Sequence, residues 1–165
     1  MNKNGFTLIE LIVVLTLIGL ISLLVLPVLT DSLNRLSMKT SLKEMAATMR
    51  RARSLAVSHK KNYTFHLNTI KKEYYITGEV PDLSENAKVI KLNNKRINDE
   101  VTIKGFLQYG SDSIEEKETI SIIFYPGGNS SGGKIMIRNR SGESEHTILA
   151  DKISGRIIIE DGVEP

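Results

Sequence analysis

Glu10 is the residue whose chemistry most needs an explanation, because it is a carboxylate inside an apolar stretch. The polar segment Met1–Gly5 is followed by an almost uninterrupted apolar run from Phe6 to Leu29. An uncompensated charge in hydrocarbon costs about 2.5–3.5 kcal/mol on insertion scales. This position predicts either a partner charge for Glu10 or a location near a helix end, where the side chain reaches hydrated head groups.

A second segment resembles a phosphate-binding loop in part. Gly128, Gly133 and Lys134 match the pattern of a glycine, four residues, a glycine and a lysine. A nucleotide site needs Ser or Thr next, to bind magnesium, and a helix whose amino terminus faces the phosphates. Here Ile135 follows, and the sequence continues with the alternation of a β-strand. We therefore expect a glycine-rich connection between strands and no nucleotide.

The remaining reactive side chains form no recognisable catalytic or metal-binding set. His59, His66 and His146 lack the paired spacing of metal ligands, and the chain has no cysteine. This excludes a disulfide framework, a zinc–thiolate site and a thiol nucleophile. We expect a protein that is not an enzyme, with no catalytic residues, metal or cofactor.

The elements that carry these residues begin with a long helix. About twenty apolar residues span the roughly 30 Å of a bilayer core, so residues 6–29 are predicted as a transmembrane helix that remains in the mature protein. Gly19 and Pro27 are expected to weaken or kink it. Residues 30–60 are predicted to extend it as an amphipathic helix. Its apolar residues recur mostly every three or four positions: Leu33, Leu36, Leu42, Met45, Met49, Ala52 and Ala56.

After His59 the pattern changes to short β-strands, so residues 61–165 are predicted as one antiparallel β domain. The fold class is therefore α+β, with the helix packed on a small sheet. Polar loops are expected at Val80–Ala87 and Gln108–Glu118. The predicted strands are Asn62–Leu67, Glu73–Thr77, Lys88–Leu92, Val101–Phe106, Thr119–Tyr125, Lys134–Arg138, Thr147–Ala150 and Arg156–Ile159.

The net charge of +3 conceals a segregation of charge along the chain. Between Asp31 and Lys72 there are ten basic residues and two acidic ones, whereas from Glu73 to Pro165 acidic residues outnumber basic ones by sixteen to eleven. Such a basic region could contact anionic lipids, nucleic acid or acidic neighbours in a filament, or be a solvated helix face.

The string Gly5-Phe6-Thr7-Leu8-Ile9-Glu10 resembles the processing site of type IV pilins and type II secretion pseudopilins. The resemblance implies that residues 1–5 are a leader, that prepilin peptidase cleaves between Gly5 and Phe6, and that it methylates the new amine of Phe6. It also implies that Glu10 pairs with the Phe6 amine of a neighbouring subunit. Local melting of the helix near Pro27 during assembly is a further implication.

Two carboxy-terminal segments are similar to the GspH/FimT group of minor pseudopilins and pilins. These are the loop from Phe124 to Ile135 and the turn from Ala150 to Ile157. The resemblance implies a minor pseudopilin of the type II secretion pseudopilus, located at its tip or at the link to the shaft. Its partners would be the peptidase and other major and minor pseudopilins.

The alternative is a FimT-like pilus or competence subunit that binds DNA. Its candidate contacts are Lys134, Arg138, Arg140 and Arg156. The FimT-like motif has a second arginine two residues after the first, where this chain has Ile158, and the acidic tail opposes a phosphate backbone. Secretion is therefore the favoured function.

The predicted location is the inner membrane, with a single span, a cytoplasmic amino terminus and a periplasmic head. Basic residues flanking the span do not favour this orientation, since Lys3 on one side faces Arg35, Lys39 and Lys43 on the other. The orientation follows from the prepilin resemblance alone.

Overall fold

The computed structural model of the protein describes residues 7–78, 91–142 and 144–162, without the side chains of residues 23–35. The leader residues 1–5, Phe6 and the predicted loop Val80–Ala87 lie outside the described residues. The chain divides into two compact units, Met1–Leu36 and Ser37–Pro165. The eight strands all belong to the second.

The described elements are one helix and eight strands, which confirms the α+β class. Each predicted strand has a counterpart, and most bounds agree to within two residues. The elements are α1 (Leu8–His59), β1 (Tyr63–Asn68), β2 (Glu73–Gly78), β3 (Lys91–Arg96), β4 (Val101–Leu107), β5 (Thr119–Phe124), β6 (Gly133–Asn139), β7 (Glu145–Ala150) and β8 (Ile157–Asp161).

The strands form two four-stranded antiparallel sheets instead of one small sheet. Their orders are β3-β2-β1-β5 and β4-β6-β7-β8. In the first sheet Phe65 lies opposite Ile76 and Ile122. Because side chains alternate across a strand, these three residues share the face that is buried. The division into two sheets depends on long-range pairing, which alternation along the chain does not specify.

The carboxy-terminal half of α1 supplies the helical part of the core. Its buried apolar face joins the inner residues of both sheets in one hydrophobic cluster. Tyr74 of β2 adds a polar contact, because its hydroxyl interacts with the side chains of Thr48 and Glu44. Burial, and then the charge of Glu44, raises the pKa of Tyr74 to about 12. The buried helical residues are Met38, Leu42, Met45, Ala46, Met49, Ala52 and Ala56.

Two sequence predictions are wrong in detail. Leu36 was expected on the buried face but is 62% exposed, and Met38 is buried there instead. Residues two positions apart in a helix differ by about 200° of rotation, so Leu36 and Met38 cannot lie on the same face. The strand predicted at Lys88–Leu92 is β3, which begins at Lys91 and continues to Arg96. Residues 88–90 lie outside the described part, and Leu33 is among the residues whose side chains are not described.

The remaining helix predictions concern the amino-terminal part of α1. The helix is assigned without interruption through Gly19 and Pro27, and the predicted kink stays a prediction. Within the described residues, no helical segment has both the length and the apolar character needed to cross a membrane. The transmembrane helix predicted for residues 6–29 stays a prediction.

Candidate functional site

The first turn of α1 holds Glu10 in a local hydrogen-bonding arrangement. The Glu10 backbone N–H donates to the Thr7 hydroxyl oxygen at 3.3 Å, and the same hydroxyl donates to the Glu10 carboxylate at 3.5 Å. The Leu11 N–H donates to the Thr7 carbonyl at 3.2 Å, closing the first helical turn. Thr7 is therefore the N-cap residue, and Glu10 lies three residues later, where its carboxylate accepts a hydrogen bond from the Thr7 hydroxyl.

The role of Thr7 is the functional contact that sequence reasoning missed. The signal was present as Thr-x-x-Glu directly before an apolar helix. A carboxylate in the first turn also interacts favourably with the helix dipole. Among the described residues no cation lies within ion-pair distance of Glu10, and Phe6 lies outside them. The proposed Phe6–Glu10 contact is thus still a prediction.

The helix around Glu10 presents apolar side chains to its surroundings. Leu8 is 78% exposed and Ile9 is 71% exposed. Soluble monomeric proteins rarely expose a continuous apolar surface of this kind. Exposed patches of this kind mark sites of interaction with other proteins or with membranes. The further exposed members are Leu11, Ile12, Val13, Val14, Leu15, Leu17, Ile18, Leu20 and Ile21.

The second candidate region is the glycine-rich loop after β5, which contacts α1. Arg53 of the helix donates its Nε–H to the Gly128 carbonyl at 2.8 Å. Arg50, one turn earlier, donates to the Ile157 carbonyl at the start of β8 at 3.2 Å. These two arginines belong to the basic segment seen in the sequence, and they connect the helix to the head. Sequence periodicity gives no signal for such long-range contacts.

The loop also joins the two sheets through Ser130 and Ser131. The Ser131 N–H donates to the Ile123 carbonyl of β5 at 2.8 Å. The buried Ser130 hydroxyl donates to the Asp151 carbonyl, after β7, at 2.9 Å. Its oxygen accepts the Gly132 N–H at 3.0 Å. The loop therefore contacts the helix and both sheets.

The turn between β7 and β8 packs against this loop. Hydrogen bonds from the backbone N–H and then the hydroxyl of Ser154 hold the pKa of the Asp151 carboxyl below its usual value. Gly155 has a φ of 61°, in the left-handed region that favours glycine. A side chain there would meet the Gly128 carbonyl and approach Arg53 Nε to 2.9 Å. Both carboxy-terminal motifs thus meet at Arg53.

Lys134 lies in β6, so the strand predicted after the glycine-rich loop is confirmed. Its Nζ lies 3.9 Å from a carboxylate oxygen of Glu160. The loop leads into a strand, and the helix amino terminus that a nucleotide site requires is not at this position.

The four candidate DNA contacts lie around the second sheet. Lys134 and Arg138 project from one face of β6, and Arg138 lies near Glu145. A hydrogen bond from Lys104 is the main reason that the pKa of Glu145 is lowered, and Arg138 adds to it. Arg140 and Arg156 are exposed just outside the strands, the latter near Asp151. Carboxylates therefore lie close to three of these four cations.

The three histidines are engaged in separate contacts. His59 Nδ1 lies 2.6 Å from the Tyr63 hydroxyl oxygen, and His146 Nδ1 lies 2.8 Å from Asp161 Oδ1. His66 lies between two hydroxyl groups on the outer face of the first sheet. In the part of the chain that the structure describes, no three such side chains form a potential metal site.

A cleft of about 630 Å³ lies between the two sheets, but its lining lacks the pairing of a histidine with an acid that would indicate catalysis. Apolar residues and charges of both signs line it. They are Thr69, Ile70, Thr102, Ile103, Lys104, Gly105, Glu116, Lys117, Glu118, Ile120 and Arg138.

Comparisons with known proteins show one matched sequence motif and a similar fold. Residues 1–26 match the prokaryotic N-terminal methylation motif, whereas no curated protein sequence matches the chain. The fold is similar to that of the minor pseudopilin EpsH from the type II secretion system of Vibrio cholerae. The identity is 10%, over 78% of this chain and 97% of EpsH, with a TM-score of 0.57.

The fold is also similar to that of the type IV minor pilin FimU from Pseudomonas aeruginosa PAO1. The identity is 14%, over 79% of this chain and 96% of FimU, with a TM-score of 0.55. The first of these proteins is a minor pseudopilin and the second is a minor pilin. The chain therefore combines an amino-terminal methylation motif with the pilin-like fold of minor pseudopilins and minor pilins.

Proposed function

We propose that the chain is a minor pseudopilin, a structural subunit of a type II secretion pseudopilus that supports protein export. The observation that carries the proposal is Glu10 in the first turn of an exposed apolar helix, within a matched methylation motif. The pilin-like head, similar to EpsH, supports the same role. The subunit acts at the pseudopilus tip or at its connection to the shaft.

Maturation is the first step of the proposed mechanism. Prepilin peptidase cleaves between Gly5 and Phe6 and methylates the Phe6 amine. Cleavage leaves Thr7 in place, so the capping arrangement around Glu10 is retained. Residues 6–29 then anchor the subunit in the inner membrane, with the amino terminus cytoplasmic and the head periplasmic.

Assembly moves the apolar helix from lipid to the helices of neighbouring subunits. The Glu10 carboxylate pairs with the positively charged Phe6 amine of the next subunit. Opposite charges attract strongly at low dielectric, and a buried charge without a partner is costly. The pair therefore favours one axial register. Gly19 and Pro27 provide the points where α1 bends or locally unwinds as the subunit enters the filament.

Substitutions in the first turn test this role. Glu10→Gln removes the charge and retains the size of the side chain, whereas Thr7→Ala removes the hydroxyl and retains the charge. We expect Glu10→Gln to be cleaved normally but excluded from the pseudopilus. Thr7→Ala should be incorporated at least partly, since a lost cap costs only about 1 kcal/mol of helix stability.

The measurement is recovery of the mature subunit with sheared pseudopili, alongside mass determination of its amino terminus. Normal incorporation of Glu10→Gln would remove the basis for the Phe6–Glu10 contact. An intact leader on the mature protein, with the peptidase present, would contradict the proposed maturation.

A type IV pilus minor pilin is the second candidate, because the similarity to FimU is comparable to the similarity to EpsH. Complementation separates the two systems: a secretion role restores export in a strain that lacks the minor pseudopilin, and a pilus role restores surface pili. DNA binding is the more specific form of this alternative. It predicts tight DNA binding that Arg156→Ala weakens, and the nearby carboxylates argue against that result.

A further inference from the structure

The outward face of α1 in the head unit carries cations that the fold does not use. Lys39, Lys43 and Arg51 are exposed along this part of α1. Among the described residues, none of the three forms a hydrogen bond or lies within ion-pair distance of a carboxylate. By contrast, Arg50 and Arg53 bind head carbonyls. We call Lys39, Lys43 and Arg51 the basic stripe.

The same chain has an exposed set of carboxylates on the segment Gln108–Glu118. Asp112, Glu116 and Glu118 are exposed, and within the described part of the chain none of their side chains has an ion-pair partner. Glu115 is different, because its side chain pairs with Lys117 at 2.6 Å. We call Asp112, Glu116 and Glu118 the acidic set.

Backbone hydrogen bonds hold Glu116 and Glu118 of the acidic set in place. Phe106 and Glu115 exchange two hydrogen bonds, each 2.9 Å long. The Thr69 N–H donates to the Glu118 carbonyl at 2.9 Å, which anchors the other end of the segment. Glu116 lies between these anchors. The carboxylates are therefore presented by an ordered backbone, which lowers the entropy lost when a partner binds.

The spacing of the two charge sets is also compatible. Lys39 and Lys43 are one helical turn apart, so they lie about 6 Å from each other along the helix. Glu116 and Glu118 are two residues apart, about 6–7 Å in an extended chain. Two adjacent lysines can thus face two carboxylates at the same time.

We propose that the basic stripe of one subunit binds the acidic set of a second copy. The complementary charges lie on different surfaces of one chain, so the contact is heterologous. Such a contact would act beside the Phe6–Glu10 pair in a filament, but it does not require that pair. Because both surfaces are exposed, its strength should fall with rising salt concentration.

Chemical crosslinking between copies tests the proposed contact. The full chain, in nonionic detergent, is mixed as ¹⁴N- and ¹⁵N-labelled copies and treated with a carbodiimide, which joins lysine amines directly to neighbouring carboxylates. Mass spectrometry of mixed-isotope peptides then identifies contacts between copies. We expect crosslinks from Lys39 or Lys43 to Glu116 or Glu118, and their loss at 500 mM salt.

Two variants test the pairing: Lys39→Glu with Lys43→Glu, and Glu116→Lys with Glu118→Lys. When labelled and unlabelled copies of the same variant are mixed, each variant should lose these crosslinks, because both contacting surfaces then carry the same charge. Mixing the two variants with each other should restore crosslinks between the exchanged positions. The matched control is Lys60→Glu with Lys61→Glu, which changes the same charge outside the stripe and should retain the crosslinks. Unchanged thermal unfolding would show that the variants fold.

Two outcomes would overturn the proposal: crosslinks only within one copy, or no restoration when the reversed variants are mixed. A lipid role for the basic stripe predicts a different result. The wild type would bind phosphatidylglycerol vesicles, the variant with Lys39→Glu and Lys43→Glu would not, and adding the variant with Glu116→Lys and Glu118→Lys would not restore its binding. Glu10→Gln should leave the crosslinks unchanged, so failure here is distinguishable from failure of the Glu10 assembly contact.

Discussion

Gly155→Ala should destabilise the head by separating the helix from the glycine-rich loop. Gly155 has a φ of 61°, and an alanine side chain there would collide with the Gly128 carbonyl and approach Arg53 Nε to 2.9 Å. The Gly128 carbonyl is the acceptor of the 2.8 Å hydrogen bond from Arg53. Relief of the collision therefore requires movement of a group that connects α1 to the loop.

The expected loss has two parts. A left-handed conformation costs about 1–2 kcal/mol for a residue with a Cβ. Loss of a hydrogen bond to a charged donor costs about 1.5–3 kcal/mol. Together they lower the free energy of unfolding by about 2.5–5 kcal/mol. Even the lower value corresponds to a decrease in Tm of about 8–15 °C for a unit of this size.

Thermal unfolding of the full chain in detergent, followed by calorimetry, measures this loss. The control is Gly142→Ala, because Gly142 has a φ of 81° and a Cβ there meets no described atom within 4 Å. It should lose only the backbone part. Arg53→Met, which retains an unbranched apolar side chain without the guanidinium group, should lose only the hydrogen bond. Equal losses for Gly155→Ala and Gly142→Ala would refute the reasoning, because the packing against Gly128 would then contribute nothing.

Two further predictions concern the first sheet. Phe65→Ala removes a fully buried ring and should lower the free energy of unfolding by about 3–5 kcal/mol in urea titration, whereas a loss under 1 kcal/mol would contradict its central position. Burial, and then the charge of Lys91, lowers the pKa of His66 below 6.5. The unfolded state therefore binds more protons at this residue than the folded state does. The free energy of unfolding is highest above pH 6.5 and decreases as the pH falls. His66→Gln should flatten the dependence of the urea midpoint on pH between 7.5 and 5, and an unchanged slope would exclude His66 as its source.

Strands could be predicted from the sequence where their apolar residues alternate and lie on one buried face. The first strand was identifiable because Tyr63, Phe65 and Leu67 alternate with polar residues and all three are buried. The end of β3 was predicted too early because its residues are almost all exposed, as is common for an edge strand, so no apolar alternation marks it. Basic residues such as Lys95 are common on edge strands, where they oppose pairing with other chains.

The candidate site was predictable only where its signal is local. The string around Glu10 and the two glycine motifs could be read directly, but the role of Arg53 could not. Its acceptor, Gly128, is 75 residues away in the chain, and no periodic pattern encodes such a contact. Before folding, Arg53 was one of ten cations in the basic segment; in the structure it differs from Lys43 because it has a carbonyl to bind.

This difference separates the residues that hold the subunit together from those available to join it to others. Arg53, Ser130 and Gly155 have their contacts within the fold, so their substitution should reduce the stability of the isolated subunit. Glu10 and Lys43 are exposed, and the described contact of the Glu10 carboxylate lies within its own helical turn. Their substitution should leave unfolding almost unchanged and alter association. A loss of assembly without a loss of stability at Glu10 or Lys43 would therefore identify an intersubunit contact, whereas parallel losses would assign the residue to the fold.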